Sequence, residues 1–219
     1  MTAQEVFNAV EAYAPKAPQT ACDLNKRCRP NKQCASSQSE LMVDFDPVKT
    51  KWNSSQRQSS MSSVDGLAYN HDVLCFVEIK STVEFTHFQI KSNKSDVENM
   101  DTIHQQMAKY SQSLQKKFID SFVICQGITG DAQFANGLSI RYVLVTDIDL
   151  TPLANFATQL SNLATGSSDW NLIFASSLGT TFNQTTANLS GVKTDYKSCQ
   201  ELDTYLRGLE ELNNEFVER

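Results

Sequence analysis

The chain has 219 residues, 40% of them apolar and 9% aromatic, with a net charge of −6. That is enough apolar material for one core in a single domain spanning residues 1–219. The acidic balance excludes a protein that coats nucleic acid by neutralising many phosphates, and no uninterrupted apolar run is long enough to span a bilayer.

In chain order, residues 3–13 (AQEVFNAVEAY) set Val6, Phe7, Val10 and Tyr13 at helical spacing, and Pro15 and Pro18 end that helix. Residues 19–40 are polar and irregular. The segment LMVDFDPVK predicts a first strand over 41–46, and WNSSQRQSSMSS a polar connection. A second strand over 64–69 turns at Asn70-His71-Asp72 into a third over 73–80. Residues 97–118 predict a helix through Met100, Ile103, Met107, Leu114 and Phe118. Apolar runs then predict strands over 121–125 and 141–146, a helix over 149–164 with Pro152 in its first turn, and a strand over 171–175. Residues 199–219 predict a last helix. The expected fold class is α/β, a central mixed β-sheet flanked by helices, with its core over about residues 40–176.

The third strand is chemically odd. Its apolar run, Val73 to Val77, ends in Glu78-Ile79-Lys80. Side chains alternate along a strand, so Glu78 and Lys80 share one face. Pairing through the hairpin turn brings Asp65 alongside. Two neighbouring carboxylates repel unless a cation lies between them, and hard oxygens suit Mg²⁺ or Mn²⁺. The plainer reading is a salt bridge closing a strand end. Against it, the strand is too apolar for a surface edge, and Gly66 beside Asp65 permits close backbone approach.

Asp65, twelve intervening residues, and Glu78-Ile79-Lys80 at the end of an apolar strand resemble the PD-(D/E)XK phosphodiesterase signature of the restriction-endonuclease-like fold. Gln106 and Tyr110, one helical turn apart in QMAKY, resemble the Gln-x-x-x-Tyr motif of its RecB-like and Cas4-like branch. The resemblance implies a nuclease, with DNA favoured over RNA. It implies a metal, Mg²⁺ or Mn²⁺, held by Asp65, Glu78 and the backbone carbonyl of Ile79, with Lys80 serving the attacking water and Gln106 and Tyr110 contacting substrate or supporting the site. Such proteins act in restriction, phage defence and mobile-element biology. The residue before Asp65 is Val64, where the motif has proline. A further glutamate is expected from the N-terminal side, with Glu40, Glu11 and Glu5 as candidates and Glu40 favoured for preceding the first strand.

The other constellations read more plainly. Cys22, Cys28 and Cys34 are evenly spaced in a basic segment, wider than the close pairs of structural zinc sites, so loop thiols are expected ahead of a zinc knuckle. Cys75 and Cys125 read as core thiols in strands. His71 reads as a turn residue, and His104 should face away from Gln106. The basic clusters Lys26/Arg27/Arg29/Lys32, Lys91/Lys94 and Lys116/Lys117 read as solvated surface. Leu202, Tyr205, Leu209, Leu212 and Phe216 form an a/d-like stripe that packs on its own sheet or joins a homodimer. The N-terminus has no basic-then-apolar leader, so a reducing cytoplasm and free thiols are expected. The rival to the nuclease is a non-catalytic binding or regulatory protein that retains the fold.

Overall fold

A computed structural model describes residues 1–24, 39–56, 61–148 and 169–209. Its centre is a five-stranded mixed sheet in the order β1-β2-β3-β4-β5, comprising β1 (Val43–Asp44), β2 (Gly66–Asn70), β3 (Val73–Lys80), β4 (Ser139–Thr146) and β5 (Val192–Ser198). β1, β2 and β3 pair antiparallel, whereas β3, β4 and β5 run parallel. The expected α/β architecture, a mixed sheet flanked by helices, is what the chain adopts.

One face of the sheet carries the larger core. Leu74 and Phe76 of β3 and Ile140, Tyr142 and Leu144 of β4 pack there against α1 (Ala3–Tyr13), α5 (Asp96–Thr129) and α6 (Trp170–Thr186). The opposite face, with Cys75, Val77, Ile79, Val143 and Val145, is covered by α2 (Ala21–Leu24) and α7 (Leu202–Arg207). The remaining helices are α3 (Phe45–Gln56) and α4 (Thr82–Gln89), which starts directly after β3. α1 begins with a capping box, Thr2 accepting from the Glu5 amide and Glu5 from the Thr2 amide. α5 begins the same way with Ser95 and Glu98, and stops at Gly130, whose φ of 68° suits a residue without Cβ.

Several expected elements are corrected. Only Val43–Asp44 is strand at the first position, because Asp44 accepts from the Asp46 amide at 3.2 Å and Pro47 occupies the first turn of α3. Residues 121–127 continue α5 as helix. Their burial falls at Ser121, Ile124 and Cys125, in phase with Leu114 and Phe118, so helical periodicity extends the stripe. Cys125 is therefore a buried thiol in a helix, while Cys75 is buried in β3. Residues 170–177 are also helix, capped by Asp169, whose Oδ1 accepts from the Asn171 and Leu172 amides at 3.1 and 3.2 Å. The strand that does complete the sheet, β5, reads VKTDYKS and shows no apolar run.

The expected helix over 149–164 lies outside the described residues, as do Cys28, Cys34, Leu212 and Phe216. Of the C-terminal stripe, Leu202, Tyr205 and Leu209 are buried on the chain's own sheet. No described helix is long and apolar enough to cross a membrane.

Candidate functional site

The charged end of β3 is held by three elements. At the start of β2 the Asp65 amide donates to the Val77 carbonyl at 3.0 Å, although Val77 is already the register partner of Gly66. Asp65 and Gly66 thus face one residue, the arrangement of a β-bulge, which re-aims a side chain. The Asp65 carboxylate swings over the end of the hairpin and its Oδ2 accepts from the Ile79 amide at 2.7 Å. Within a strand the N–H and C=O of a residue point to the same side, so the Ile79 carbonyl faces the Asp65 edge as well. The Ile79 side chain packs into the opposite core.

Glu78 points to the α5 face and is fully buried. Its Oε1 accepts from two ammoniums: Lys80, in a close contact, and Lys117 of α5 at 2.6 Å. Its Oε2 is buried with no hydrogen-bond partner. A buried carboxylate oxygen without a donor is costly. Burial pushes Glu78 upward, but the charges of Lys80 and Lys117 outweigh it and hold the group below the ordinary carboxylate range. Asp65 behaves oppositely: burial, and then the neighbouring Glu78 charge, push it up to about 6 despite the two lysines. For Lys80, burial works against the charge, but Glu78 and Asp65 prevail and keep the ammonium protonated above its usual range.

Lys80 also opens onto a cleft of about 260 Å³. Ile79 and Lys80 form its floor, Glu84, Phe85, Phe88 and Gln89 of α4 one wall, and Gln106 and Tyr110 of α5 the other. The Lys80 ammonium stands 5.5 Å from the centre of the Tyr110 ring. The α4 wall is fixed from beneath. Asp147, just past β4, accepts from Ser81 Oγ and the Thr82 amide, both at 2.7 Å, and from the Val83 amide at 3.3 Å. Phe85 stacks on Phe174 of α6 with ring centres 4.0 Å apart.

The structure therefore brings Asp65, Glu78, Ile79, Lys80, Gln106 and Tyr110 into one region. Glu40 stands elsewhere. Its carboxylate meets Arg207 at 3.5 Å, and its amide donates to Asp203. Arg207 lies at the turn end of the hairpin, where its carbonyl accepts from Asn70, about 16 Å of strand away from Asp65. The expectation that Glu40 joins the metal ligands is corrected accordingly. Glu11 sits near the end of α1, and Glu5 closes the α1 capping box. His104 is exposed and outside the cleft, and His71, with φ of 48°, is the hairpin turn residue.

Lys117 is the residue that sequence reasoning placed wrongly, as solvated surface. Its signal was helical phase: positions 106, 110 and 117 follow one face of a helix.

A divalent ion fits the donor set in part. Two coupled carboxylates, an unpartnered buried oxygen on Glu78 and a carbonyl at Ile79 are hard oxygen donors suited to Mg²⁺ or Mn²⁺. Among the described residues no three His, Cys, Asp or Glu side chains converge, so water would complete the shell, as Mg²⁺ prefers. No family model, no curated protein and no solved structure matches this chain.

Proposed function

We propose that this chain is a metal-dependent nuclease of the PD-(D/E)XK type, hydrolysing phosphodiester bonds of nucleic acid, DNA in preference to RNA, in a reducing cytoplasm. One observation supports the reading: a buried carboxylate pair, Asp65 and Glu78, adjoins Lys80, and Lys80 lines a cleft whose far wall bears Gln106 and Tyr110. Asp65, Glu78 and the Ile79 carbonyl would hold the ion. When bound, it supplies Lewis-acid polarisation of a phosphoryl oxygen and lowers the pKa of a water.

The chain's own residues do the rest. Lys80, kept protonated by its carboxylate neighbours, offers a fixed positive charge to the developing phosphoryl charge and orients the attacking water. Gln106 and Tyr110 offer an amide and a hydroxyl across the cleft to phosphate or sugar oxygens. Lys117 offsets the negative charge of Glu78 from behind.

The second reading, a non-catalytic binding protein with the same fold, draws on the capping of Glu78 Oε1 by both lysines, which satisfies that oxygen without a metal. Purified protein incubated with labelled single- and double-stranded DNA and RNA, with Mg²⁺, Mn²⁺ or chelator, separates the two. The nuclease cuts only with the metals, and its melting temperature rises with Mn²⁺ by mass action. Absence of both effects selects the binding protein.

A further inference from the structure

Phe88 is 59% exposed and is the only aromatic among the large apolar side chains left exposed in the described residues. It is not on a loose segment. It lies one turn after Phe85, on a helix clamped by Asp147 and stacked on Phe174. The ring therefore lines the cleft from an anchored helix, with His87 edge-on at 5.0 Å. Beside it are two amides, Gln89 and Gln106, and the Glu84 carboxylate.

We propose that this side of the cleft is a nucleobase subsite, in which Phe88 stacks on an unpaired base while the amides and Glu84 meet the base's polar edge. The inference rests on the nuclease reading and names its substrate: a single strand or frayed end, in preference to intact duplex.

Three arguments support it. First, a ring face is available to stack only when a base has left its neighbours, and stacking on aromatic side chains is how proteins hold unpaired strands. Second, the cleft's volume of about 260 Å³ is below the usual range for drug-sized ligands, and its walls are two helices. That is room for one nucleoside-sized group. Third, the charges sort the two ends of a nucleotide. The Lys80 ammonium on the floor attracts phosphate. The Glu84 carboxylate repels phosphate and accepts from an exocyclic amino group of a base. The basic side chains Lys91 and Lys94, exposed just beyond α4, supply a path for the continuing backbone in a chain that is acidic as a whole.

The test measures binding apart from cleavage. The full chain is titrated, in Ca²⁺ and without Mg²⁺ or Mn²⁺, into a single-stranded oligonucleotide carrying one 2-aminopurine, and into the matching duplex. The single strand should bind at least about tenfold tighter, with the 2-aminopurine emission quenched by stacking. Phe88→Ala should weaken single-strand binding roughly 5- to 150-fold, the range for loss of one stacked base, and restore the emission. Phe88→Trp should retain both. Because Phe88 is largely exposed, these variants should melt with the parent. Equal binding of duplex and single strand, no binding of either, or a folded Phe88→Ala that binds like the parent overturns the subsite. Metal-dependent cleavage that ignores strandedness and Phe88 also overturns it, while leaving the nuclease reading intact. Phe88-dependent binding with no cleavage in Mg²⁺ or Mn²⁺ has the opposite meaning: the nuclease reading falls and a single-strand-binding cleft remains.

Discussion

Lys80 and Lys117 converge on one oxygen of Glu78, yet their surroundings differ. Lys80 reaches the cleft, and Lys117 does not line it. Lys80→Ala should therefore retain Mn²⁺-dependent stabilisation and lose cleavage by about 10²–10⁴-fold, typical of removing one positioned group. Lys117→Met should also bind Mn²⁺, more tightly than the parent as a nearby positive charge disappears, and keep cleavage within about tenfold, since its contact is to Glu78 and not the cleft. Thermal shift and initial rates on the same preparations decide the contrast. Equal loss in both variants would mean that the lysines act only by neutralising Glu78.

Asp65 makes a second prediction at this scale. Folded, it keeps its proton up to about pH 6, whereas its ordinary value is 3.8. Between those values the folded chain binds more protons than the unfolded one, so Asp65 makes stability fall as pH rises through that window. Glu78, held low by its lysines, acts the other way and loses its contribution on acidification. Asp65→Asn should thus stabilise the metal-free protein at pH 7.5 by up to about 3 kcal/mol, with the gain fading towards pH 4. It should abolish stabilisation by Mn²⁺. Urea titrations in chelator across that range measure the first effect, and melting with Mn²⁺ the second.

At the level of the element, α5 depends on a glycine within its last turns. A Cβ at Gly127 would lie 2.0 Å from Cη2 of Trp52, on α3. Helix propensity favours alanine over glycine by about 1 kcal/mol. Overpacking at a rigid ring costs about 1–3 kcal/mol and should win. Gly127→Ala should therefore destabilise the protein, while in a Trp52→Ala background the same change should stabilise it. Opposite signs in the two urea titrations would establish that close packing of α3 on α5, and not backbone freedom, requires the glycine.

Across the whole molecule, the last strand is tied to the sheet by charge. Arg141 on β4 is buried and donates to Asp195 on β5 at 3.0 Å and to Tyr205 on α7 at 3.3 Å. Tyr205 in turn donates to Asp195 at 2.6 Å. The triad joins β4, β5 and α7, and the Arg141 Nε has no partner of its own. Asp195→Ala would leave a buried guanidinium without its carboxylate, at a cost of about 3 kcal/mol, the lower end for breaking a buried pair because Asp195 keeps 28% exposure. Hydrogen exchange should show the loss concentrated in β5 and α7. Uniform loss across the sheet would deny the triad this local role.

The sequence by itself determined α1, the β2–β3 hairpin, β4 and the charged end of β3. Each carries a local signal: apolar residues at helical spacing closed by prolines for α1, a turn for the hairpin, an apolar run for β4, and a carboxylate and a lysine interrupting an apolar run for the end of β3. It also placed Gln106 and Tyr110 one turn apart on a helix. Tertiary structure alone decided the rest. The runs at 121–127 and 170–177 are too short and too uniformly apolar for periodicity to separate strand from helix, and only their burial in phase with neighbouring turns makes them helical. β5 has no apolar pattern because it is an edge strand only partly buried, and its pairing became legible once β4 was in place beside it. Lys117 joined the site, and Glu40 left it, for the same reason. Contacts between residues far apart in the chain are set by the packing of whole elements: helical phase puts Lys117 on the face of Gln106 and Tyr110, but only that packing decided that the face meets Glu78.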